Sequence, residues 1–319
     1  MKALVIGAAG FVGGYLARHL TEDLHWETVL TKLPQESIAD TGCPVFDLDI
    51  LEQSAITALL KEQRPDVIFH LAAQSSVALS WQKPQLTVAV NVTGSLNVLE
   101  AVRSMGDSMP RILLIGSGEE YGHLPAGVSL VSEETPLHPG NPYAVTKAAQ
   151  NLFGTLYAQS YGMEILSVRA FNHIGAGQLP LFAAADFCKQ AAEIVCGKRE
   201  NCIRTGNLSA KRDFTDVRDV VRAYGLLAQY GRAGETYNVG SGRSIAIASL
   251  LQEIIRQSGM EIRVETDPAK LRPVDIPDIR ADITKLQRDT GWMPEIPLAR
   301  TLHEMLAYFI RQLKEEEQK

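Results

Sequence analysis

The sequence is poor in the features that mark metal sites, secretion and membrane insertion. It has only four cysteines in 319 residues, and none forms a C-x-x-C pair, which argues against a structural zinc site or a disulfide framework. No apolar run reaches the roughly 18 residues of a membrane helix, and the first residues lack a signal-peptide pattern. We therefore predict a cytoplasmic protein with reduced thiols, no bound metal and no membrane partner.

An excess of positive charge is also missing. The 31 Lys and Arg residues are outnumbered by 37 Asp and Glu residues, which gives a formal net charge of −6. Such a chain has no global basic field to attract nucleic acid, so we predict no nucleic-acid partner. An apolar content of 45% and a charged content of 21% are ordinary for a globular protein, and the length is enough for two lobes.

Strand-like and helical segments alternate through the first half of the chain. The predicted strands are short, mostly apolar runs at 2–6, 28–31, 45–48, 67–71, 111–115 and 165–169. This alternation predicts an α/β protein with a doubly wound parallel sheet, the Rossmann fold. The alternation ends after Phe171. We therefore predict a dinucleotide-binding domain over 1–170 and about 213–242, and a smaller, mostly C-terminal α/β lobe over 171–212 and 243–319 for the substrate.

A glycine-rich turn joins the first predicted strand to the first predicted helix. Gly7, Gly10 and Gly13 follow a G-x-x-G-x-x-G pattern, with Phe11 and Val12 opening the helix. In a dinucleotide-binding turn, the first glycine permits the tight turn, the second lets the pyrophosphate approach the backbone, and the third lets helix and strand pack closely. The turn therefore predicts a pyrophosphate at the helix N-terminus.

The end of the second predicted strand indicates which cofactor is bound. An acidic residue about 20 positions after the glycine turn would bind the 2′-hydroxyl of an adenosine ribose. Here the strand ends at Thr31 and Lys32, and the first acid after it is Glu36. Because Lys32 can instead bind a 2′-phosphate, we predict NADP(H) as the cofactor, with NAD(H) as the alternative.

A tyrosine and a lysine four residues apart form the candidate catalytic pair. Tyr143 and Lys147 follow Asn141 and Pro142, a good N-cap and a good first helical residue, so both side chains share one helix face. A neighbouring ammonium lowers the pKa of a phenol, which then serves as proton donor to a carbonyl. Ser117 lies just beyond the fifth predicted strand, at the sheet edge that binds ligands. Together the three residues predict a dehydrogenase or reductase.

These motifs make the chain resemble an extended short-chain dehydrogenase/reductase of the NAD-dependent epimerase/dehydratase family, whose members modify nucleotide sugars. The resemblance runs from residue 2 to about 292 and adds the motifs Asp49-Ile50, His70-Leu71-Ala72-Ala73, Asn91, 116–122, Phe171-Asn172-His173 and Arg212-Asp213-Phe214. Beside the glycine turn, the residues it assigns to the cofactor are Lys32, Asp49, Ile50, Leu71, Ala72, Ala73, Asn91, Tyr143 and Lys147. It also implies a homodimer, in which the helices carrying Asn91 and Tyr143 form a four-helix interface.

Two segments resemble the branch of this family that acts on GDP-mannose derivatives. They are 206–213 and Leu271-Arg272-Pro273. The resemblance implies that Arg212 and Arg272 grip the nucleotide pyrophosphate, which suits a planar guanidinium, and that Asp275 approaches the guanosine ribose. The predicted substrate-binding residues are Ser117, Glu119, Asn172, Lys211, Arg212, Arg272 and Asp275.

Within this branch the resemblance implies reduction of the C4 keto group of GDP-4-keto-6-deoxy-D-mannose to GDP-D-rhamnose, with NADPH as hydride donor. Tyr143 would be the general acid, supported by Ser117 and Lys147. The alternative is GDP-mannose 4,6-dehydratase, with Glu119 as acid/base; the residues between Gly10 and Gly13 and the segment 171–178 favour the reductase. A third alternative is a non-catalytic NADP-binding regulatory protein on the same fold, which the intact catalytic set disfavours.

Overall fold

The structure, a computed structural model, describes residues 1–39, 41–270 and 277–316 of the chain. Fourteen strands lie within these residues. In chain order they are β1 (Lys2–Ile6), β2 (Glu27–Lys32), β3 (Val45–Asp47), β4 (Val67–His70), β5 (Arg111–Ile115), β6 (Leu130–Val131), β7 (Ile165–Ala170), β8 (Asn172–Ile174), β9 (Cys202–Thr205), β10 (Lys211–Asp216), β11 (Thr236–Val239), β12 (Ser244–Ala246), β13 (Arg263–Thr266) and β14 (Asp278–Ala281).

Eleven α-helices lie within the same residues. They are α1 (Phe11–Arg18), α2 (Gln53–Gln63), α3 (Val77–Gln82), α4 (Pro84–Val88), α5 (Ser95–Arg103), α6 (Pro142–Tyr161), α7 (Ala183–Val195), α8 (Val217–Tyr230), α9 (Ile247–Ser258), α10 (Thr284–Thr290) and α11 (Leu298–Glu316). Across the described ranges, none of these helices combines the length and apolarity needed to span a membrane.

The main sheet is parallel throughout and has the strand order β3-β2-β1-β4-β5-β7-β11. The chain adds β2 and β3 on one side of β1 and then crosses over to add β4 on the other side, so the order of strand addition reverses between β1 and β4. The crevice at such a reversal is where open α/β sheets bind ligands. The doubly wound parallel sheet predicted from the sequence is therefore confirmed, with the glycine turn at the carboxyl end of β1.

Helices cover both faces of this sheet, which explains why its strands are apolar at successive positions. Val5 of β1 belongs to the buried cluster that contains Leu16 of α1. Its neighbour Leu4 belongs to the cluster that contains Ile56 of α2. Successive side chains of a strand point to opposite faces of the sheet. A strand that alternated apolar and polar residues would therefore have apolar side chains against the helices of only one face.

A second sheet forms beside the main one. It has the order β12-β10-β14-β6, with β8 also paired to β10, while β9 and β13 form a separate parallel pair. Side chains of α7, α9 and α11 share their own buried core. The predicted boundary at 213 falls inside β10, which belongs to the second sheet, and β11 belongs to the main sheet. The division into two domains stays a prediction.

One predicted helix differs from the structure in a way that bears on the site. The pattern predicts a continuous helix over 88–104, but the chain is helical from Pro84 and makes a π-helical turn at Ala89–Gly94 before α5. A π-turn adds a residue to the helix and rotates the side chains that follow it. This turn buries Asn91 completely.

Candidate active site

The glycine turn has the geometry that its sequence predicts. Gly7 has a φ of 86°, which L residues rarely adopt, and a Cβ there would lie 2.6 Å from the backbone of Ala72. A Cβ on Gly13 would lie 2.1 Å from the carbonyl oxygen of Ala8, so a larger residue would push α1 away from β1. A Cβ on Gly10 would be an ordinary 3.6 Å from the Gly7 carbonyl oxygen, which leaves this face open to a ligand.

The N-terminus of α1 suits an anion. The helix is capped by Gly10 with no side-chain hydrogen bond, and its first turn contains no acid, so no carboxylate of that turn neutralises the positive end of the helix dipole. Thr31 supports the turn from β2. Its Oγ1 accepts a hydrogen bond from Gly7 N at 3.3 Å, and its carbonyl accepts one from Ala8 N at 2.8 Å. These residues fit the pyrophosphate of a dinucleotide.

Lys32 is already paired with an acid. Its Nζ lies 2.5 Å from Oδ1 of Asp47 on the neighbouring strand and 3.3 Å from the carbonyl oxygen of Leu33. No sequence motif pointed to Asp47, because the two residues meet only through the pairing of β2 with β3. Asp47 offsets part of the positive charge of Lys32, the charge that we expect to bind the 2′-phosphate. The contact of Lys32 with the 2′-phosphate stays a prediction, and we expect only a weak preference for NADPH over NADH.

The other predicted cofactor residues follow strand ends of the main sheet. Asp49 and Ile50 come just after β3, and Leu71, Ala72 and Ala73 come just after β4. The backbone N–H groups of Leu71 and Ala72 both donate to the last carbonyl of β1 at 2.9 Å. These two bonds hold the segment after β4 against the glycine turn, where it can form a wall of the cleft. Direct cofactor contacts of these residues stay predictions.

Asn91 links the cleft segment to α6, the helix that carries Tyr143. Its Oδ1 accepts a hydrogen bond from Gln74 N at 2.8 Å, and its Nδ2 donates to the carbonyl of Gln74 at 3.0 Å and to Oγ1 of Thr146 at 2.9 Å. The side chain is fully buried. The structure thus shows Asn91 positioning two walls of the cleft, while the cofactor contact predicted for it stays a prediction.

Ser117 follows β5 and caps a short 3₁₀ turn over Gly118–Tyr121. Its Oγ accepts a hydrogen bond from Glu119 N at 3.2 Å, and its own N–H donates to Oε1 of Glu120 at 2.8 Å. The reciprocal bonds form a capping box, for which S-x-x-E is the sequence signature. Glu120 was not among the predicted site residues, although the S-x-x-E signature of Ser117 to Glu120 is present in the sequence. The box orients Ser117 at the carboxyl edge of the sheet.

Tyr143 lies in the first turn of α6, whose N-terminus is capped by Asn141. Burial raises the pKa of the Tyr143 phenol well above its usual value, a hydrogen bond with the Ser117 side chain lowers it, and the charges of Glu119 and Glu120 raise it again. The predicted lowering of this pKa by Lys147 is therefore wrong for this structure. Burial dominates, which keeps the phenol protonated, as a proton donor must be.

The Lys147 ammonium is directed at β5. Its Nζ donates to the carbonyl of Ile115 at 2.7 Å and to Oε1 of Gln150 at 3.1 Å. Burial lowers the pKa of Lys147 to about 8, against an opposing effect of the Glu120 charge. Gln150, three residues further along α6, is a supporting residue that sequence analysis did not single out.

Glu119 joins the turn that carries Ser117 to the helix that carries Tyr143. Its Oε2 accepts a hydrogen bond from Nδ2 of Asn141 at 3.1 Å. Close packing explains the glycine at the neighbouring position 118, because a Cβ there would come 3.2 Å from the ring of Phe171. The turn thus brings Glu119 to the edge of the site, close enough to Tyr143 to act on its pKa.

Three of the seven predicted substrate residues, Asn172, Lys211 and Arg212, lie on strands of the second sheet. Asn172 starts β8, and its Nδ2 donates to the backbone of β10 at 3.3 Å. Lys211 and Arg212 start β10; Lys211 is exposed, whereas Arg212 is buried and donates to the Lys211 carbonyl at 2.8 Å. Arg272 and Asp275 lie outside the described residues, so their predicted contacts with the nucleotide stay predictions.

Comparison with known proteins decides the family. The family model described as GDP-mannose 4,6 dehydratase matches residues 4–305. This chain belongs to the GDP-mannose 4,6-dehydratase family. The resemblance to nucleotide-sugar-modifying dehydrogenases and reductases is thereby confirmed.

The relatives of this chain are named for more than one reaction. The GDP-6-deoxy-D-mannose reductase of Pseudomonas aeruginosa is 33% identical over 315 residues, which is 99% of each chain. A GDP-mannose 4,6-dehydratase of Yersinia enterocolitica is 28% identical and covers 98% of this chain and 95% of its own. The solved structure of RMD from Pseudomonas aeruginosa, complexed with NADPH, superposes with a TM-score of 0.86 at 32% identity, over 98% of this chain and 99% of that one. Family membership alone therefore does not choose between reductase and dehydratase.

Proposed function

We propose that the protein is a cytoplasmic, NADPH-dependent reductase that converts the C4 keto group of GDP-4-keto-6-deoxy-D-mannose into the hydroxyl of GDP-D-rhamnose. The observation that carries this proposal is the convergence of Ser117, Tyr143 and Lys147 at the carboxyl edge of the main sheet. Full-length similarity to a GDP-6-deoxy-D-mannose reductase supports the substrate class.

Three side chains divide the work of the reduction. When bound, NADPH supplies the hydride that C4 receives. Tyr143 donates the proton to the former carbonyl oxygen, because burial keeps its phenol protonated. The Ser117 hydroxyl polarises that carbonyl, and the Lys147 ammonium holds the cofactor ribose and offsets the negative charge that develops on Tyr143.

The cofactor assignment rests on the glycine turn and on the main sheet. Gly10 leaves room for a pyrophosphate at the N-terminus of α1, which has no side-chain cap, and the cleft wall after β4 is hydrogen-bonded to β1 beside it. The NADPH in the similar RMD structure agrees with the predicted nicotinamide cofactor. Lys32, Asp49 and Ile50 would then face the adenosine half.

GDP-mannose 4,6-dehydratase is the second candidate, and Glu119 is the observation that favours it. Its carboxylate lies at the site and affects the pKa of Tyr143, as an acid/base for water elimination would need to. In the reductase that we propose, no proton moves at C5, so Glu119 only positions the Asn141 end of α6 through their hydrogen bond.

Glu119→Gln separates the two candidates. A reductase should lose less than about 10²-fold in turnover, because a positioning contact is not specific to the transition state. A dehydratase should lose its activity altogether. The measurements are keto-sugar reduction and GDP-mannose conversion by the parent and the variant, with Tyr143→Phe as the control that removes the proton donor.

A direct substrate test decides the proposal itself. GDP-mannose and GDP-4-keto-6-deoxy-D-mannose are offered separately with NADPH, and NADPH absorbance and sugar products are followed. We expect consumption of NADPH with the keto sugar and no conversion of GDP-mannose. Formation of a 4-keto-6-deoxy sugar from GDP-mannose without net consumption of NADPH would assign the protein to the dehydratases.

The proposed homodimer has a suitable surface. Val145, Leu152 and Leu156 form an exposed apolar row along α6, and Leu86 and Val88 are exposed on the adjacent α4. Apolar patches of this kind mark association surfaces. A dimer in light scattering that Leu152→Glu turns into a monomer would support the four-helix interface, whereas a monomeric parent protein would rule it out.

A further inference from the structure

A buried carboxylate lies behind the catalytic side chains, and the mechanism above gives it no role. Glu120 is fully buried. Its Oε1 accepts the backbone N–H of Ser117 at 2.8 Å, and its Oε2 accepts hydrogen bonds from Nδ2 of Asn151 at 3.0 Å and Nε of Arg169 at 3.1 Å. One carboxylate thereby joins the serine turn, the catalytic helix α6 and strand β7.

The fold reserves space for this carboxylate. Gly116 directly follows β5, and a Cβ there would lie 2.3 Å from Oε1 of Glu120 and 2.8 Å from the carbonyl oxygen of Val168. A residue with a side chain would displace Glu120 from the Ser117 backbone. The contact with Glu120 thus explains why residue 116 is a glycine.

Arg169 supports the ionised form of Glu120. Burial raises the pKa of the Glu120 carboxyl, and the charge of Arg169, with the hydrogen bonds from Ser117 and Asn151, acts against that rise. Its Nη1 donates to the Tyr121 hydroxyl at 3.1 Å and to the carbonyl of Glu133 at 3.0 Å, and its guanidinium carbon lies 4.9 Å from the centre of the Tyr121 ring. A buried ion pair of this kind adds little net stability compared with apolar residues of the same size. Its position under the active site therefore calls for a role other than stability.

Charged and titratable groups reach the catalytic pair from several elements. Tyr143 interacts with Glu119 and Glu120 from the turn after β5 and with Tyr224 from α8. Lys147 interacts with Glu120 from the same turn and with the imidazole of His70 at the end of β4, whose pKa burial and the ammonium lower to about 3.

Of these groups, Glu120 acts on both members of the catalytic pair. Its negative charge raises the pKa of Tyr143 and opposes the lowering of the Lys147 pKa by burial. Both effects favour the protonated forms, which are the forms that a reductase needs at the start of the reaction.

The geometry points to Glu120 as a positioning residue that fixes the backbone of Ser117 and supplies the fixed negative charge that keeps Tyr143 and Lys147 protonated. This inference rests on the proposed reductase function, because only a reduction needs Tyr143 as acid. It makes the Gly116-to-Glu120 turn one unit that sets both the geometry and the protonation state of the site.

Glu120→Gln removes the charge and keeps an oxygen that can accept the Ser117 N–H. Loss of a nearby negative charge favours deprotonation, so the pKa values of Lys147 and Tyr143 should both fall. The alkaline limb of the kcat profile, expected near pH 8 in the parent from Lys147, should move about one pH unit toward acid. A limb at the parental pH would overturn the inference, even if kcat were lower at every pH.

Companion variants separate charge from packing. Glu120→Asp keeps the charge with altered hydrogen bonds, so it should lower kcat with the limb at the parental pH. The double variant Glu120→Gln/Arg169→Met leaves no unpaired buried ion and should fold while retaining the acid shift; a parental limb in this variant would contradict us. Asp219→Asn removes a buried carboxylate that binds the backbone of Glu295 and Ile296, and should lower Tm without moving the limb.

A spectroscopic readout makes the result independent of turnover. Phenolate absorbance is titrated in the parent and in Glu120→Gln, each with its own Tyr143→Phe derivative subtracted to isolate Tyr143. We expect the Tyr143 phenolate to appear at lower pH in Glu120→Gln, and equal titrations would overturn the inference. If the parent failed to reduce the keto sugar, the proposed function would fail, and this titration would still decide whether the Glu120 charge acts on Tyr143.

Discussion

Two sheets contribute to the candidate site, and they hold their functional residues in different ways. On the main sheet, the glycine turn and Ser117 come immediately after β1 and β5. On the second sheet, Lys211 and Arg212 lie within β10, which is placed by pairing with β12, β14 and β8. The first arrangement depends on local sequence, and the second on contacts between distant segments. We expect changes on the main sheet to affect chemistry and cofactor binding, and changes on the second sheet to affect substrate affinity.

The largest effect is expected for Tyr143→Phe on the main-sheet side. Removing the proton donor should lower kcat at least about 10²-fold, the usual scale for a general acid. Tyr157→Phe is the matched control, because Tyr157 lies on the same helix and its hydroxyl donates to Glu100 at 2.6 Å, away from Ser117. Near-parental turnover in Tyr143→Phe would contradict the assignment of the chemical step to residues that follow the main sheet.

Gly10→Ala and Gly13→Ala test the same region through the cofactor. Gly10→Ala should leave Tm of the cofactor-free protein close to the parental value, yet weaken NADPH binding about tenfold, or about 1.4 kcal/mol, because its methyl group would occupy the pyrophosphate space. Gly13→Ala should instead destabilise the fold by about 1–3 kcal/mol, since its Cβ meets the Ala8 backbone. Thermal melts with and without NADPH measure both, and equal behaviour of the two variants would contradict the roles assigned here.

Lys211→Ala tests the second sheet. Lys211 is exposed, and its Nζ lies 3.8 Å from Oδ2 of Asp278 at the start of β14, so its loss should disturb the fold little. If it attracts the diphosphate of the nucleotide, KM for the keto sugar should rise about fivefold, the scale of an exposed ion pair, with kcat unchanged. A fall in kcat at constant KM would break the distinction between the two sheets.

The smallest effect is expected at Lys32 and Asp47. Lys32→Ala should lower the preference for NADPH over NADH a few-fold, and Asp47→Asn should raise it by a similar factor, because the acid competes with the 2′-phosphate for the ammonium. The ratio of kcat/KM for the two cofactors is the measurement. A ratio that neither variant changes would exclude Lys32 as the phosphate contact.

Local sequence predicted the parts of the site that local geometry determines. The segments 2–6 and 111–115 were predicted as strands and are β1 and β5, and Asn141 caps α6 as expected. The positive φ of Gly7 and the tight packing of Gly13 also follow from the motif. These features depend on residues within a few positions of each other, so spacing was enough to predict them.

Side-chain partners from distant segments could not be read in this way. The pairing of Lys32 with Asp47, and of Glu120 with Arg169, depends on which strands are neighbours in the sheet. The pKa of Tyr143 was predicted in the wrong direction for the same reason, since burial and carboxylates outside its own helix set it. Sequence spacing predicts which residues are catalytic, whereas their electrostatic environment is a property of the assembled sheet.

Isotope transfer tests the proposed reduction at C4 of the sugar. The protein is incubated with GDP-4-keto-6-deoxy-D-mannose and NADPH that carries deuterium at the transferable position of the nicotinamide, and the sugar product is analysed by NMR. We predict one deuterium bound to C4 of the 6-deoxy sugar, with one NADPH oxidised for each sugar reduced. A product without deuterium at C4, or an unreduced keto sugar after prolonged incubation, would contradict the assignment of the protein as a C4 keto reductase.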